Sequence, residues 1–92
     1  MEPDITEQIT RAVKAELARR DLDGVDLVPV LGMGRNAVYS RLRHERAFDM
    51  AELSKITVFM GITMNDLLDS AQYGLRIAER ATGEYVRTEM AA

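Results

Sequence analysis

Ile5, Ile9, Val13 and Leu17 stand at steps of four, with Ala12 beside them. That is the period of a helix with one apolar stripe, and the stripe is stable only if the rest of the chain supplies helices or sheets to cover it. Pro3 or Asp4 opens this first helix, since proline suits a first turn and Glu2, Asp4 and Glu7 complement the positive end of the helix dipole. Arg19 and Arg20 fall in the last turn, where cations are favoured, and Asp21-Leu22-Asp23-Gly24 reads as a turn.

The helical period then returns in short pieces. Val25 to Leu31 offers Leu27, Val28, Val30 and Leu31 as an inward face, but Pro29 cannot sit deep in a helix without losing a hydrogen bond. Asp26 as N-cap resolves the conflict, because Pro29 then lies in the first turn, whose amides lack helical partners anyway. This stunted helix ends at Gly32, and Gly32-Met33-Gly34 forms a tight connector with glycine at both ends to permit positive backbone angles. A further helix spans Arg35–Arg43, with Val38 and Leu42 inward and a stop near His44. Asp49 caps the fourth helix with Glu52 as its capping-box partner, and Phe48 and Leu53 bracket the cap as a hydrophobic staple. Met50, Leu53, Ile56, Phe59 and Met60 are its expected buried stripe, Gly61 ends it, and Thr63 caps a fifth helix through Leu68. Beyond Asp69, Ala71, Leu75, Ala78 and Ile77 keep a weaker period to Gly83, and Tyr85 and Val86 fall on a polar tail. The expected fold is all-α: a compact five-helix domain over residues 1–69 with a C-terminal helical extension over 70–92.

Composition removes several function classes. There is no cysteine and His44 is the sole histidine, so neither a thiolate nor an all-histidine metal site is available. No apolar run approaches the roughly 20 residues of a membrane helix, and Met1-Glu2-Pro3-Asp4 lacks the character of a signal sequence, so a cytoplasmic protein is expected. Asp66 and Asp69 have no partner base, and Gly32-Met33-Gly34 is too short for a dinucleotide fingerprint. Neither catalysis, nor a cofactor, nor a small-molecule ligand is expected.

The formal net charge of −3 at first argues against nucleic acid. Its distribution argues the other way. Residues 1–34 carry four basic and seven acidic side chains, and residues 47–92 again four and seven, each net −3. Residues 35–46 carry Arg35, Arg41, Arg43 and Arg46 against Glu45 alone, net +3. Two short helices joined by a glycine-bearing turn, the second basic and polar outside, are what insertion into a major groove about 12 Å wide requires. Arg35, Asn36, Tyr39, Ser40 and Arg43 share the outer side, with Arg46 just beyond for the phosphate backbone. Arginine can pair bidentately with guanine and asparagine with adenine.

In order and spacing these segments resemble the Cro and lambda-repressor-like helix-turn-helix family of bacterial and phage regulators. Leu31-Gly32-Met33-Gly34-Arg35-Asn36-Ala37-Val38 resembles its approach to the recognition helix, and Arg41-Leu42-Arg43-His44-Glu45 the helix end of actinobacterial-type members. Asp49-Met50-Ala51-Glu52-Leu53 and Gly61-Ile62-Thr63-Met64-Asn65-Asp66-Leu67-Leu68 resemble its fourth and fifth helix openings. The resemblance implies base-reading roles for Arg35, Asn36, Tyr39 and Ser40, and a base or backbone contact for Arg43. The sequence departs from the family at Gly24, where a phosphate-contacting glutamine is usual, at Val28, where a small alanine is usual, and at Pro29.

The function expected is a sequence-specific transcription regulator on a double-stranded DNA operator, of phage or mobile-element repressor type. The alternative is a protein-interaction module or antitoxin on the same fold. A homodimer is expected through Ala71, Leu75, Ala78 and Tyr85, taken as lying outside the five-helix core, with packing back on the first helix as the rival arrangement.

Overall fold

Asp4 fixes where the first helix begins: its carboxylate accepts the Thr6 amide at 2.7 Å from an extended N-cap position. The computed structural model describes residues 4–91, with side chains as far as Ala81, so Pro3 and the side chains of Tyr85 and Val86 lie outside the described residues. The elements are α1 (Ile5–Arg19), a 3-10 turn (Gly24–Asp26), α2 (Leu27–Leu31), α3 (Arg35–Leu42), α4 (Met50–Met60) and α5 (Met64–Ala91). The chain is thus all-helical, with no strand among the described residues. No helix among them is long and apolar enough to cross a membrane.

The largest fully buried side chains of the core come one from each helix: Val13, Leu27, Val38, Ile56 and Leu67. On α1, Ala12, Val13 and Leu17 are buried, whereas Ile5, at the start of the expected stripe, is 37% exposed. Polar residues extend the covered face. Gln8, Thr10 and Glu16 are buried beside the aliphatic ones, and Glu16 is neutralised there by Arg19 at 2.9 Å and by Arg20. Arg20 also donates to the Met60 carbonyl at 2.9 Å, tying the end of α1 to the end of α4.

Pro29 is the third residue of α2, inside the first turn as the sequence requires. The lead-in differs from expectation. Asp26 occupies the N-cap position, but its carboxylate accepts the Asp23 amide at 2.8 Å and closes the 3-10 turn instead of capping α2. In the connector only Gly32 needs to be glycine, at φ 64°; Gly34 sits at φ −70° in ordinary extended backbone. His44 ends the α3 segment at φ 66°, a left-handed conformation that histidine tolerates better than most side chains.

The capping box of α4 forms as expected, Asp49 accepting the Glu52 amide at 2.8 Å and Glu52 accepting the Asp49 amide at 3.0 Å. Its buried stripe needs correction. Leu53, Ile56 and Met60 face the core, but Met50 is 66% and Phe59 43% exposed, and Thr57 is buried instead. Phe59 is turned about 100° from its neighbour Met60. Thr57 is tolerated inside because its hydroxyl donates to the Ser54 carbonyl at 2.9 Å.

Thr63 and Asp66 cap α5 reciprocally, each amide meeting the other's side chain at 3.0 Å. From there α5 runs unbroken past Asp69 and through Gly83, so the boundary drawn between 69 and 70 falls inside a helix. Ala71, expected outside the core, is 1% exposed and belongs to it. The two helices approach closely at Gly74: a Cβ there would lie 2.5 Å from the amide oxygen of Gln8 on α1. The rival arrangement, packing back on the first helix, is the one found for this part of α5.

Candidate nucleic-acid interface

Val38 and Leu42 hold the inner side of α3 in the core, and its outer side is what the protein presents. At about 100° per residue, Arg35, Asn36, Tyr39, Ser40 and the C-cap Arg43 fall within roughly 140° of arc. The structure brings these five together on one face, with Arg35, Asn36 and Arg43 exposed and Tyr39 and Ser40 half-buried. Arg46 follows in the α3–α4 loop, also exposed, and shares a groove of about 190 Å³ with Asp4, Glu7 and His44.

Two of these side chains have their geometry set from below. The guanidinium of Arg35 stands over the Tyr39 ring, 5.7 Å from its centroid. A Cβ on Gly24 would come within 2.9 Å of that ring and 2.6 Å of the Leu42 side chain. Glycine at position 24 is therefore a packing requirement: it lets the ring settle against the 3-10 turn. Gly24→Ala gains about 0.4–1 kcal/mol from a less flexible unfolded chain, but overpacking costs about 1–3 kcal/mol. The expected net result is a lower melting temperature, with Leu42 and Tyr39 displaced. A thermal melt at or above that of the parent would contradict it. Ser40 donates its hydroxyl to the Ala37 carbonyl at 2.8 Å, so in this rotamer it meets a ligand as an acceptor.

The charge of the face is smaller than the sequence suggests. Arg41, counted in the basic stretch, turns inward and pairs with Glu52 through both nitrogens of its fork, at 2.9 and 3.1 Å. It also donates to the Ala37 carbonyl at 2.8 Å, and both side chains of the pair are almost covered, 11% and 13% exposed. Removing Arg41 from the count leaves Arg35, Arg43 and Arg46 against Glu45, net +2 in place of +3. Glu45 lies against Arg43 as an exposed ion pair. Their hydrogen bond is the main reason that the Glu45 carboxyl is held below its ordinary range and the Arg43 guanidinium above it. Asp21 and Asp23 line a groove with Lys14 and Leu42 near the 3-10 turn, and Asp4 and Glu7 stand in the groove beside Arg46, so the basic face has acidic side chains on both flanks.

No family model, curated protein or solved structure matches the chain significantly. The roles of these residues therefore rest on where the helices put them. Among the described residues no three histidine, cysteine or acidic side chains gather as a metal site.

Proposed function

We propose that the protein is a sequence-specific double-stranded DNA-binding regulator, a cytoplasmic repressor of phage or mobile-element type that inserts α3 into the major groove. The support is the construction of α3 itself. It is a helix about 12 Å long, locked from behind by Val38, Leu42 and the Arg41–Glu52 pair, with Arg35, Asn36, Tyr39, Ser40 and Arg43 grouped in front. A rigid helix with guanidinium and carboxamide groups on one face matches the donor and acceptor pattern of base edges. It resembles the recognition helix of Cro-like regulators. Two copies, paired through exposed Tyr73 and Ile77 one turn apart on α5, would read two half-sites about 34 Å apart.

Selection of bound duplexes from a random pool, followed by anisotropy titration, tests the reading. Arg35→Ala, Asn36→Ala and Arg43→Ala are each expected to cost about 1–3 kcal/mol on the selected site, with an unchanged thermal melt. Arg46→Ala is expected to weaken all sequences alike and to reduce the salt slope by about one unit. Three alanine variants that bind the selected site as the parent does would remove α3 from the interface. A protein-interaction module is favoured by one observation, Val58 and Phe59 exposed at 78% and 43% on α4. That reading requires no salt-dependent binding to duplex DNA, so the same titration separates the two.

A further inference from the structure

Two carboxylates engage the arginines of the α3 segment, in opposite ways. Glu52 draws Arg41 into the body of the protein, where the pair joins α3 to α4. Glu45 leaves Arg43 at the surface, both side chains more than half exposed at 57% and 55%, only two residues apart and beside the proposed reading face. The second pair contributes little to holding the fold, since exposed ion pairs of this kind change an equilibrium by about fivefold at most. Its effect falls on what Arg43 can do for a ligand.

We infer that Glu45 acts as an internal stand-in for phosphate, occupying Arg43 so that duplexes of arbitrary sequence gain nothing from it. The inference rests on the DNA-binding reading above. On an arbitrary duplex, moving Arg43 to a backbone phosphate exchanges one anionic partner for another and leaves the Glu45 carboxylate facing the phosphates. Little is gained. A bidentate contact to a base is worth roughly fivefold to more than a hundredfold, which exceeds the fivefold or less needed to part the exposed pair. Arg43 is therefore spent on bases in preference to phosphates, and Glu45 is a specificity-determining residue although it makes no contact with DNA. Its carboxyl is held below the ordinary range by the hydrogen bond from Arg43 while the pair is closed.

Glu45→Gln removes the charge and keeps the shape. Anisotropy titrations of the full chain against a mixed-sequence duplex, at salt from about 50 to 200 mM, read the result. The variant is expected to bind up to about fivefold more tightly at the lowest salt, with a salt slope steeper by about 0.9, the signature of one added phosphate contact. In an Arg43→Ala background the same Glu45→Gln change is expected to lose the steeper slope and most of the gain, because no arginine is released. Equal affinity and slope for parent and Glu45→Gln, with the parent binding in a salt-dependent way, would overturn the inference. So would a gain that persists in full without Arg43, which would mark a general charge effect. If neither parent nor variant binds any duplex at the lowest salt, the DNA-binding reading itself falls, and this inference with it.

Discussion

Arg41→Ala is expected to lower the stability of the protein by about 2–4 kcal/mol, more than the loss of any arginine on the outer face of α3. Breaking a buried ion pair by removing one partner typically costs about 3–5 kcal/mol, because the other charge is left without compensation. The Arg41–Glu52 pair keeps a tenth or so of its surface in water, which lowers that cost. Arg41 also satisfies the Ala37 carbonyl, and that bond is lost too. Glu52→Gln should cost less, since glutamine can still accept the Asp49 amide and complete the cap of α4. At about 4–8 °C per kcal/mol for a domain of 60–100 residues, Arg41→Ala should melt at least 8 °C lower. DNA binding measured well below that melt should be nearly intact, because Arg41 does not face outward. A melt within 2 °C of the parent would mean that the pair holds nothing together. Loss of binding at full folding would instead put Arg41 on the interface.

That pair also marks where the sequence stops being legible. Features set by near neighbours could be read directly: the Asp49–Glu52 box, the glycine stop at 61, the Thr63 cap, Pro29 in a first turn, and the grouping of Arg35, Asn36, Tyr39, Ser40 and Arg43. Each depends on helical periodicity or on a hydrogen bond between residues a turn apart. Arg41 and Glu52 are eleven residues apart on different helices, and the charge count alone does not say that one arginine of four turns inward. A signal was present in the angle. Arg41 lies roughly 60° around the helix from Val38 and about 120° or more from Arg35 and Asn36. The stripe of α4 failed for a related reason. Met50 and Phe59 are apolar and Thr57 is not, but burial follows the direction a helix face points, and a threonine that bonds its own helix can take the inner place. In the sequence Gly24 reads only as the end of a turn. Its meaning depends on the Tyr39 ring lying over it.

Truncation after Ser70 is expected to cost about 3–5 kcal/mol, and the shortened chain should not behave as a folded, monomeric DNA-binding unit. Sequence periodicity places this stretch outside the core, whereas α5 packs along α1 more extensively than any other two elements do. The cut removes Ala71, fully buried, and Leu75 and Ala78, half-buried, and it uncovers the α1 face that carries Gln8 and its neighbours. Deleting large buried aliphatic groups costs about 2–5 kcal/mol each when a cavity remains. Here the site opens to water, so the sum over a buried alanine and two partly covered residues stays near that range. A chain of this size has only about 5–14 kcal/mol in total, so a loss of this order leaves a sizeable unfolded fraction at warm temperatures. Truncation after Ala81 provides the contrast. It keeps every α5 residue with a described role in the core, together with Tyr73 and Ile77, and should melt within about 1 kcal/mol of the full chain. Circular dichroism melts of the two truncations measure the difference, and sedimentation of the longer one reports whether Tyr73 and Ile77 suffice for pairing. If the chain ending at Ser70 melts like the chain ending at Ala81, the turns of α5 after Ser70 are an appendage and α1 is covered without them.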